Sequence, residues 1–459
     1  MSIVSWIPPI TLHSLVVVLS VLVYILTTRA RRDRRPPSIA IAWVFGLIAL
    51  PYVVLPMYLL FGRRKIARKI SRWSGIRSFI GHWAEDLIES FGLAPSAAAA
   101  IRMHKNGEES AAALFSAISD ARSRLDICTY ILGDDAFGRK VTQLMIERAR
   151  SGVAVRLMVD GVGALQLPAG CFKHLASAGI ETAIFSPLFA RRTQGPRNLR
   201  NHRKMVITDG VRLWAGGRNL AAEYFSGSDG AIPWCDLTFD LRGGVVDAAA
   251  AQFEADWLAA GGIPASGAKR EMLAADPAAA LPSRAQFLPS GPDQTEDTVH
   301  ALLIDACFQA RDRMLAVTPY FVPDVSLETA MRLAARRGVQ IDLCIPAVSN
   351  HWLADFARNR ALRSLSRAGV NIHLLPYMNH AKAVVFDQSL ALSGSVNLDS
   401  RSLLLNYECA VVFYGAPEID WLANWIEALI PGSQPFDARA PGLLRDIGEG
   451  LLLTVAYQL

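Results

Sequence analysis

Two distant stretches of the chain repeat one sparse polar pattern. The first, "NHRKMVITDGVRLWAGGRN", runs from Asn201 to Asn219, and the second, "NHAKAVVFDQSLALSGSVN", from Asn379 to Asn397. Each holds a histidine (His202, His380), a lysine two residues on (Lys204, Lys382) and an aspartate seven on (Asp209, Asp387). A glycine follows at fourteen and an asparagine at seventeen (Asn219, Asn397). Beyond each copy stands a carboxylate seven residues ahead of a glycine: Asp236 in "WCDLTFDLRGG" and Glu408 in "NYECAVVFYG". These side chains suit phosphodiester transfer. A neutral imidazole can attack phosphorus and form a phosphohistidine, splitting one hard displacement into two easier ones. A second imidazole, protonated at the outset, supplies the departing alkoxide with its proton. Two lysines and two asparagine amides can stabilise the growing phosphoryl charge without a metal. Each copy carries one histidine, so the reaction needs both.

The elements around the motifs also come twice. "KMVITDGVRLWAGG" alternates like two short strands about an Asp-Gly turn, and "KAVVFDQSLALSGS" does so about Asp-Gln. A strand puts residues two apart on one face, which aligns His202 with Lys204 and His380 with Lys382. Upstream, "SGVAVRLMVD" parallels "RGVQIDLCIP", and "ASAGIETAIF" parallels "SRAGVNIHLL", in the same order ahead of each motif. Alternating strand and helix predicts an α/β fold with helices covering mixed or parallel sheets. We expect domains at 73–261 and 295–430, joined by an Ala/Pro-rich linker at 262–294, with a C-terminal tail at 431–459.

The first 72 residues differ. Ile10 to Thr28 carries no charged residue apart from His13, and Ser38 to Phe61 has no Asp, Glu, Lys or Arg. Each is long enough for a membrane helix at about 20 residues per span, which predicts two transmembrane helices at about 10–28 and 38–61. Pro51 and Pro56 leave a re-entrant second segment as the alternative. A signal peptide fits less well, because no Lys or Arg precedes the first run and no cleavage site follows it. Arginines crowd both the connection between the runs and the far side of the second, so the positive-inside rule pulls both ways. The second cluster favours a cytoplasmic body by a slight margin. The net charge of +6 leaves little basic surface for nucleic acid once these arginines are set aside. Six scattered cysteines form neither a CxxC pair nor a zinc-spaced cluster, and read as buried small residues.

The doubled H-x-K-x4-D-x6-G-x2-N pattern resembles the signature of the phospholipase D superfamily. "NLRNHRKMVITDG", "GGRNLAAEYF", "WCDLTFDLRGG", "TPYFVPD", "GSVNLDSRSLLLNYE" and the apolar N-terminus ending "MYLLFGRRK" are similar to the bacterial cardiolipin synthase group. One departure is Asn379, where the family has a bulky apolar residue. The resemblance implies two tandem phospholipase D-like α/β/α domains with pseudo-two-fold symmetry, no cofactor, and a place in the bacterial inner membrane. It also implies transfer of a phosphatidyl group between two phosphatidylglycerol molecules, giving cardiolipin and glycerol. By similarity His202 is the nucleophile and His380 the acid and then the base, although the residues alone do not break that symmetry. Lys204, Lys382, Asn219 and Asn397 would hold the phosphate, and Asp236 and Glu408 would each fix a histidine tautomer. Asp209 and Asp387 belong to the signature's catalytic set, yet their place at turns points to structure. Glu223 and Tyr224 could touch substrate but read rather as an exposed helix start, and Ser400, Arg401 and Ser402 as site or cap. Hydrolysis by water is the alternative with the same residues. A nuclease would need more basic surface, and a lipid-binding scaffold would not need both motifs complete.

Overall fold

The computed structural model describes residues 12–31, 37–62, 82–187, 198–227, 230–264 and 283–442, with Arg445 and residues 448–450. The basic side chains on both sides of the second apolar run lie outside the described part. Three helices form the N-terminal unit: α1 (Leu12–Arg31), α2 (Pro37–Ala49) and α3 (Pro51–Phe61). The expected second span is therefore not one helix. Pro51 lacks the N–H that would continue α2, and it drives Leu50 out of the helical region to φ −138 and ψ 60. The chain turns sharply enough that a side chain at Gly46 would meet Val54 at 3.1 Å. Tyr24, Trp43 and Tyr58 cluster where the three helices meet, and Thr27 Oγ1 lies 2.6 Å from the Tyr58 hydroxyl. Among the described residues, no helix is both long and apolar enough to cross a membrane.

The remainder is built as two copies of one sequence of elements. After α4 (Trp83–Ser90), the first copy runs β1 (Ala97–His104), α5 (Gly107–Ser119), β2 (Arg124–Thr129), α6 (Ala136–Arg150) and β3 (Ala154–Asp160). It continues with α7 (Cys171–Ser177), β4 (Glu181–Phe185), β5 (Met205–Thr208), β6 (Arg212–Gly216), β7 (Thr238–Gly243) and α8 (Val245–Ala259). The second copy runs β8 (Ser283–Ser290), α9 (Thr298–Gln309), β9 (Arg313–Val317), β10 (Phe321–Val322), α10 (Val325–Arg336) and β11 (Gln340–Pro346). Then come α11 (Trp352–Ala368), β12 (Asn371–Leu375), β13 (Ala383–Phe386), β14 (Leu390–Gly394) and β15 (Leu398–Asp399). It closes with α12 (Ser400–Leu404), β16 (Glu408–Phe413), α13 (Ala416–Glu427) and β17 (Gln434–Pro435).

One fifteen-stranded sheet joins the copies, in the order β17-β12-β11-β9-β13-β14-β16-β8-β1-β7-β6-β5-β2-β3-β4. Apart from β17 the order is mirrored about the antiparallel β8–β1 pair, where Ala97, Ala98 and Ala99 face Ala285, Arg284 and Ser283. The expected linker thus contains a sheet strand: "SRAQFLPS" is β8, buried over nearly all its length. Half of its residues are polar and it sits amid Pro and Ala, so no apolar run marks it in the sequence. One sheet face carries a core shared by both halves, with Phe239 against Phe413 (5.3 Å between rings) beneath α8 and α13. The opposite face divides into one core per half. Residues 83–90, expected in the first domain, pack instead on the second half: Ala84 and Ile88 join its core, and Glu85 pairs with Arg284 at 2.8 Å. The expected tail begins with β17, which adds to the sheet edge at β12, and Glu449 is buried against Arg363.

Asp209 and Asp387 end the motif strands at the hairpin turns, with left-handed φ of 52 and 50. Asp209 accepts the N–H groups of Arg122, Ser123 and Arg124, and Asp387 those of Arg311, Asp312 and Arg313. A strand rises about 3.3 Å per residue, so each carboxylate stands about 20 Å from its histidine. They fasten β2 and β9 to the motif hairpins and lie outside the catalytic set in which the signature placed them. Asp209→Ala should lower unfolding stability by about 2 kcal/mol through the N–H groups left unpaired. The folded fraction should keep its turnover rate; denaturant titration and an initial-rate assay check the two halves of this statement.

Candidate active site

Both motifs lie in extended chain leading into β5 and β13, and each is zipped to the opposite half. The His202 N–H donates to the Tyr407 carbonyl at 2.8 Å, and Tyr407 N–H returns a bond to the Arg200 carbonyl. The His380 N–H donates to the Cys235 carbonyl at 2.6 Å, and Cys235 N–H returns one to Met378. Tyr407 and Cys235 immediately precede the two carboxylates, and the side chains complete the crossing. His202 Nδ1 lies 3.0 and 3.1 Å from the Glu408 oxygens, and His380 Nδ1 lies 2.8 Å from Asp236. Each histidine is thus clamped by the carboxylate of the other half. A carboxylate acceptor at Nδ1 holds the hydrogen there and leaves the Nε2 lone pair for chemistry.

The two clamps are built differently. Glu408 also accepts from the Ser395 and Ser402 hydroxyls, the second at 2.5 Å. Asp236 accepts the Leu237 N–H and leans into space left by Gly217, where a Cβ would come within 2.2 Å of Asp236 Oδ1. Ser395 and Gly217 occupy matching places, one residue past Gly394 and Gly216. A serine serves the longer glutamate, and a glycine makes room for the aspartate. Arg218, also buried, donates to the carbonyls of Asp236 and Tyr224.

The lysines are buried beside the histidines. Lys204 Nζ donates to the His202 carbonyl at 2.7 Å. Lys382 Nζ donates to the His380 carbonyl and lies against the ring, 2.7 Å from Nδ1 and 3.1 Å from Nε2. Burial lowers Lys204 to about 8 against the attraction of Glu408, and Lys382 to about 7 against that of Asp236. Burial lowers both histidines, and burial joined by the positive charge of Lys382 takes His380 down to about 3. Burial pushes the carboxyls of Asp236 and Glu408 up, but the cations and histidines beside them outweigh it and hold both below the usual range. Lys382 acts electrostatically on His202, and Lys204 on His380, so the halves share one field.

Asn219 and Asn397 are both buried here. Asn219 Nδ2 donates to the Tyr224 hydroxyl at 2.7 Å, while Asn219 Oδ1 and Asn397 Oδ1 have no partner. Tyr224, expected at an exposed helix start, is instead buried and edge-on to His380 at 5.1 Å. The cap of α12 is Asp399, which accepts the Ser402 N–H, while the Ser402 hydroxyl donates to Glu408 at the site. Four residues were missed. Tyr130 meets His202 at 5.2 Å, while Trp234 and Tyr320 meet His380 at 5.7 and 6.4 Å. Asp293, in the expected linker, pairs with Arg203, which also reaches Asp256 and the Glu408 carbonyl. Tyr130 and Tyr320 had a signal: each comes within two residues of a threonine at the end of a matching strand, Thr129 of β2 and Thr318 just past β9. The six cysteines are free, four of them buried and Cys171 and Cys235 only partly so. Among the described residues, no group of three or more His, Cys, Asp or Glu could hold a metal ion.

The family profile described as "Cardiolipin synthase, PLD-like domain" matches residues 114–257 and 303–430. This chain belongs to the PLD-like cardiolipin synthase family. A second profile, the phospholipase D-nuclease N-terminal segment, matches residues 16–63. Cardiolipin synthase A of Pseudomonas aeruginosa is 31% identical, with 95% of this chain and 93% of the relative covered. Cardiolipin synthase 1 of Bacillus cereus is 29% identical over 83% of this chain and 81% of its own. Among solved structures, the phosphatidylserine synthase of Haemophilus influenzae shares the fold at a TM-score of 0.62 and 14% identity, covering 82% of this chain and 99% of that one.

Two outcomes follow for this PLD-like site. Gly217→Ala displaces Asp236 and should slow turnover about as much as Asp236→Asn, by 10²-fold or more, the usual scale for acid–base groups. Ser395→Ala leaves Ser402 on Glu408 and should cost far less; initial rates of the three variants decide. The lysines are charged below their lowered pKa values and neutral above them, so phosphate capture weakens as pH rises through about 7 to about 8. KM for an anionic phosphodiester should therefore climb between pH 7 and 9, read from saturation curves at each pH.

Proposed function

We propose that the enzyme transfers a phosphatidyl group between two phosphatidylglycerol molecules at the bilayer surface. The carrying observation is the crosswise clamp, which leaves two Nε2 atoms in one field of two lysines. His202 Nε2 attacks phosphorus, and the P–O bond to glycerol breaks as the leaving oxygen takes the proton held by His380. The terminal hydroxyl of a second phosphatidylglycerol then gives its proton to His380 and attacks phosphorus. The P–N bond to His202 breaks, and cardiolipin leaves. The negative diester between the lysines favours the imidazolium that an empty, buried site disfavours. Asn219 and Asn397, whose buried oxygens lack partners, can turn an amide toward the phosphoryl group once it is bound. Relatives bearing the cardiolipin synthase name over most of this chain's length support the reading.

One observation favours a reversed order. Lys382 lies against the His380 ring and holds it neutral more firmly than Lys204 holds His202, and the nucleophile must be neutral. Trapping decides. With a phosphatidyl donor bearing a nitrophenol leaving group, His380→Asn should accumulate label on His202; accumulation on His380 in the His202→Asn protein instead would reverse the roles.

The same reading puts the enzyme at the bacterial inner membrane, with the catalytic body on the cytoplasmic side, and the exposed apolar surface of α1 to α3 supports it. Leu12, Val18 and Phe45 are among many apolar side chains they leave exposed, a surface that suits lipid better than water. In this reading α1 and the broken α2–α3 pair bury their apolar surface in the bilayer and anchor the body to it. Purified protein given phosphatidylglycerol should yield cardiolipin and glycerol by mass spectrometry. Phosphatidic acid without cardiolipin would make the enzyme a hydrolase.

A further inference from the structure

Beyond α3, ten large apolar side chains stand exposed among the described residues. Four are scattered singly over α8, the chain after it, α9 and α10. Of the other six, Leu165, Val325, Val348, Trp352 and Tyr377 lie where the chain leaves a strand or enters a helix, and Ile232 lies in the connection ahead of β7. Val348 and Trp352 flank the turn after β11, whose Asn350 accepts the Tyr320 hydroxyl at 2.6 Å, and Tyr320 faces His380. Tyr377 directly precedes Met378, which is bonded to Cys235 beside Asp236. Ile232 lies two residues before Trp234, another neighbour of His380. Leu165 belongs to the turn after β3, where Gly163 packs against the Tyr130 backbone and Tyr130 faces His202. Val325 opens α10 just after β10, which pairs with the strand following Asn397.

We infer that these six side chains form a rim that inserts into the face of a phospholipid bilayer around the active-site mouth. The inference rests on the lipid-transfer reading above and adds how a lipid would leave the bilayer for the site. Four features favour a membrane as occupant. Ile232 and Trp352 are 82% and 72% exposed, far more than a packed rim would tolerate. They come from both halves of the chain, each near a residue that meets one of the two motifs, which suits a surface more than a groove-bound peptide. Nearby carboxylates are engaged: Asp324 caps α10 and meets His300, while Asp355 accepts the Ser349 N–H and pairs with Arg358. Finally, only residues 63–81 separate α3 from the body, a tether of at most about 70 Å. The far ends of the same helices carry Arg336 and Arg367, giving the body an apolar end and a cationic one. Apolar and aromatic side chains at a lipid–water boundary gain from burying the ring while the polar edge stays wet.

Val325 and Trp352 open their helices, where a carboxylate suits the helix N-terminus, so Val325→Asp/Val348→Asp/Trp352→Asp should fold. In full-length protein this triple variant should turn over phosphatidylglycerol in vesicles at least tenfold more slowly than wild type. Short-chain phosphatidylglycerol below its micelle concentration should be turned over within twofold of wild type. The neutral pair Val348→Ser/Trp352→Ser should lose vesicle activity too, separating lost insertion from charge repulsion. An unchanged vesicle rate, or equal loss on the monomeric lipid, overturns the rim. A second readout needs no turnover: the fluorescence difference between wild type and Trp352→Phe, in vesicles of brominated phospholipid, should be quenched, and an unquenched difference overturns the rim. If wild type transfers nothing to either lipid while Trp352 is quenched, the transfer reading fails and the rim stands.

Discussion

The structure depends on a crossed pair of clamps between two halves of one chain. Each motif gives its histidine N–H to the residue before the other half's carboxylate, and each ring gives Nδ1 to that carboxylate itself. A backbone bond and a side-chain bond one residue apart fix both the position and the tilt of the ring. Neither half contains a complete site, because the histidine of each is oriented by the other. The shared core beneath α8 and α13 follows from this need, since a site divided across a mobile joint could not hold four side chains in register. The β8–β1 pair makes the joint part of the sheet.

Such a site is costly to fold. Lys204, Lys382, Asp236, Glu408, Arg203 and Asp256 are all buried, and each charge taken from water costs several kcal/mol unless it is paired and hydrogen-bonded. Pairing is nearly complete here. Arg203 meets Asp256, Asp293 and two carbonyls; Glu408 fills its oxygens with His202, Ser395 and Ser402. The amide oxygens of Asn219 and Asn397 are exceptions, buried and unbonded. Unpaired groups amid otherwise satisfied ones are where sequence-level rules are expected to yield to function. The lowered lysine pKa values belong to the same economy: the site stores unfavourable cationic charge that an anionic phosphodiester relieves.

The motifs were legible because their spacing repeats against a background of differing residues, and the strands beside them because "GVAVRLMVD" and "GVQIDLCIP" are buried runs. What stayed hidden shares a cause: pairing across long sequence separation. Which carboxylate serves which histidine depends on the crossing, and no local pattern at Asp236 or Glu408 states it. Strand β8 was hidden by its setting, an Ala/Pro-rich stretch, and by needing partners from both halves to be a strand at all. Tyr224 and Trp234 have ordinary local contexts and gain their role only through the ring they meet across the fold. The second apolar run was misjudged for a local reason. Hydropathy sees Ser38 to Phe61 as one segment, whereas Pro51 removes a helix donor and bends the chain there.

A symmetric scaffold has to break its symmetry to run this reaction, because one imidazole must start without a proton and the other with one. The break is written in four residues. In the first half Gly217 leaves the space that a shorter Asp236 enters; in the second, Ser395 reaches a longer Glu408 and ties it in place. Beside them Arg218 props the Asp236 backbone, where the second half has only Val396. Swapping one member of either pair alone spoils a fit, so "GGRN" with "WCD" and "GSVN" with "NYE" work as matched sets. The lysines follow suit: Lys382 presses on the His380 ring, while Lys204 keeps to the His202 carbonyl. Equal folds thus deliver unequal imidazoles, as the proposed division into a nucleophile and an acid requires.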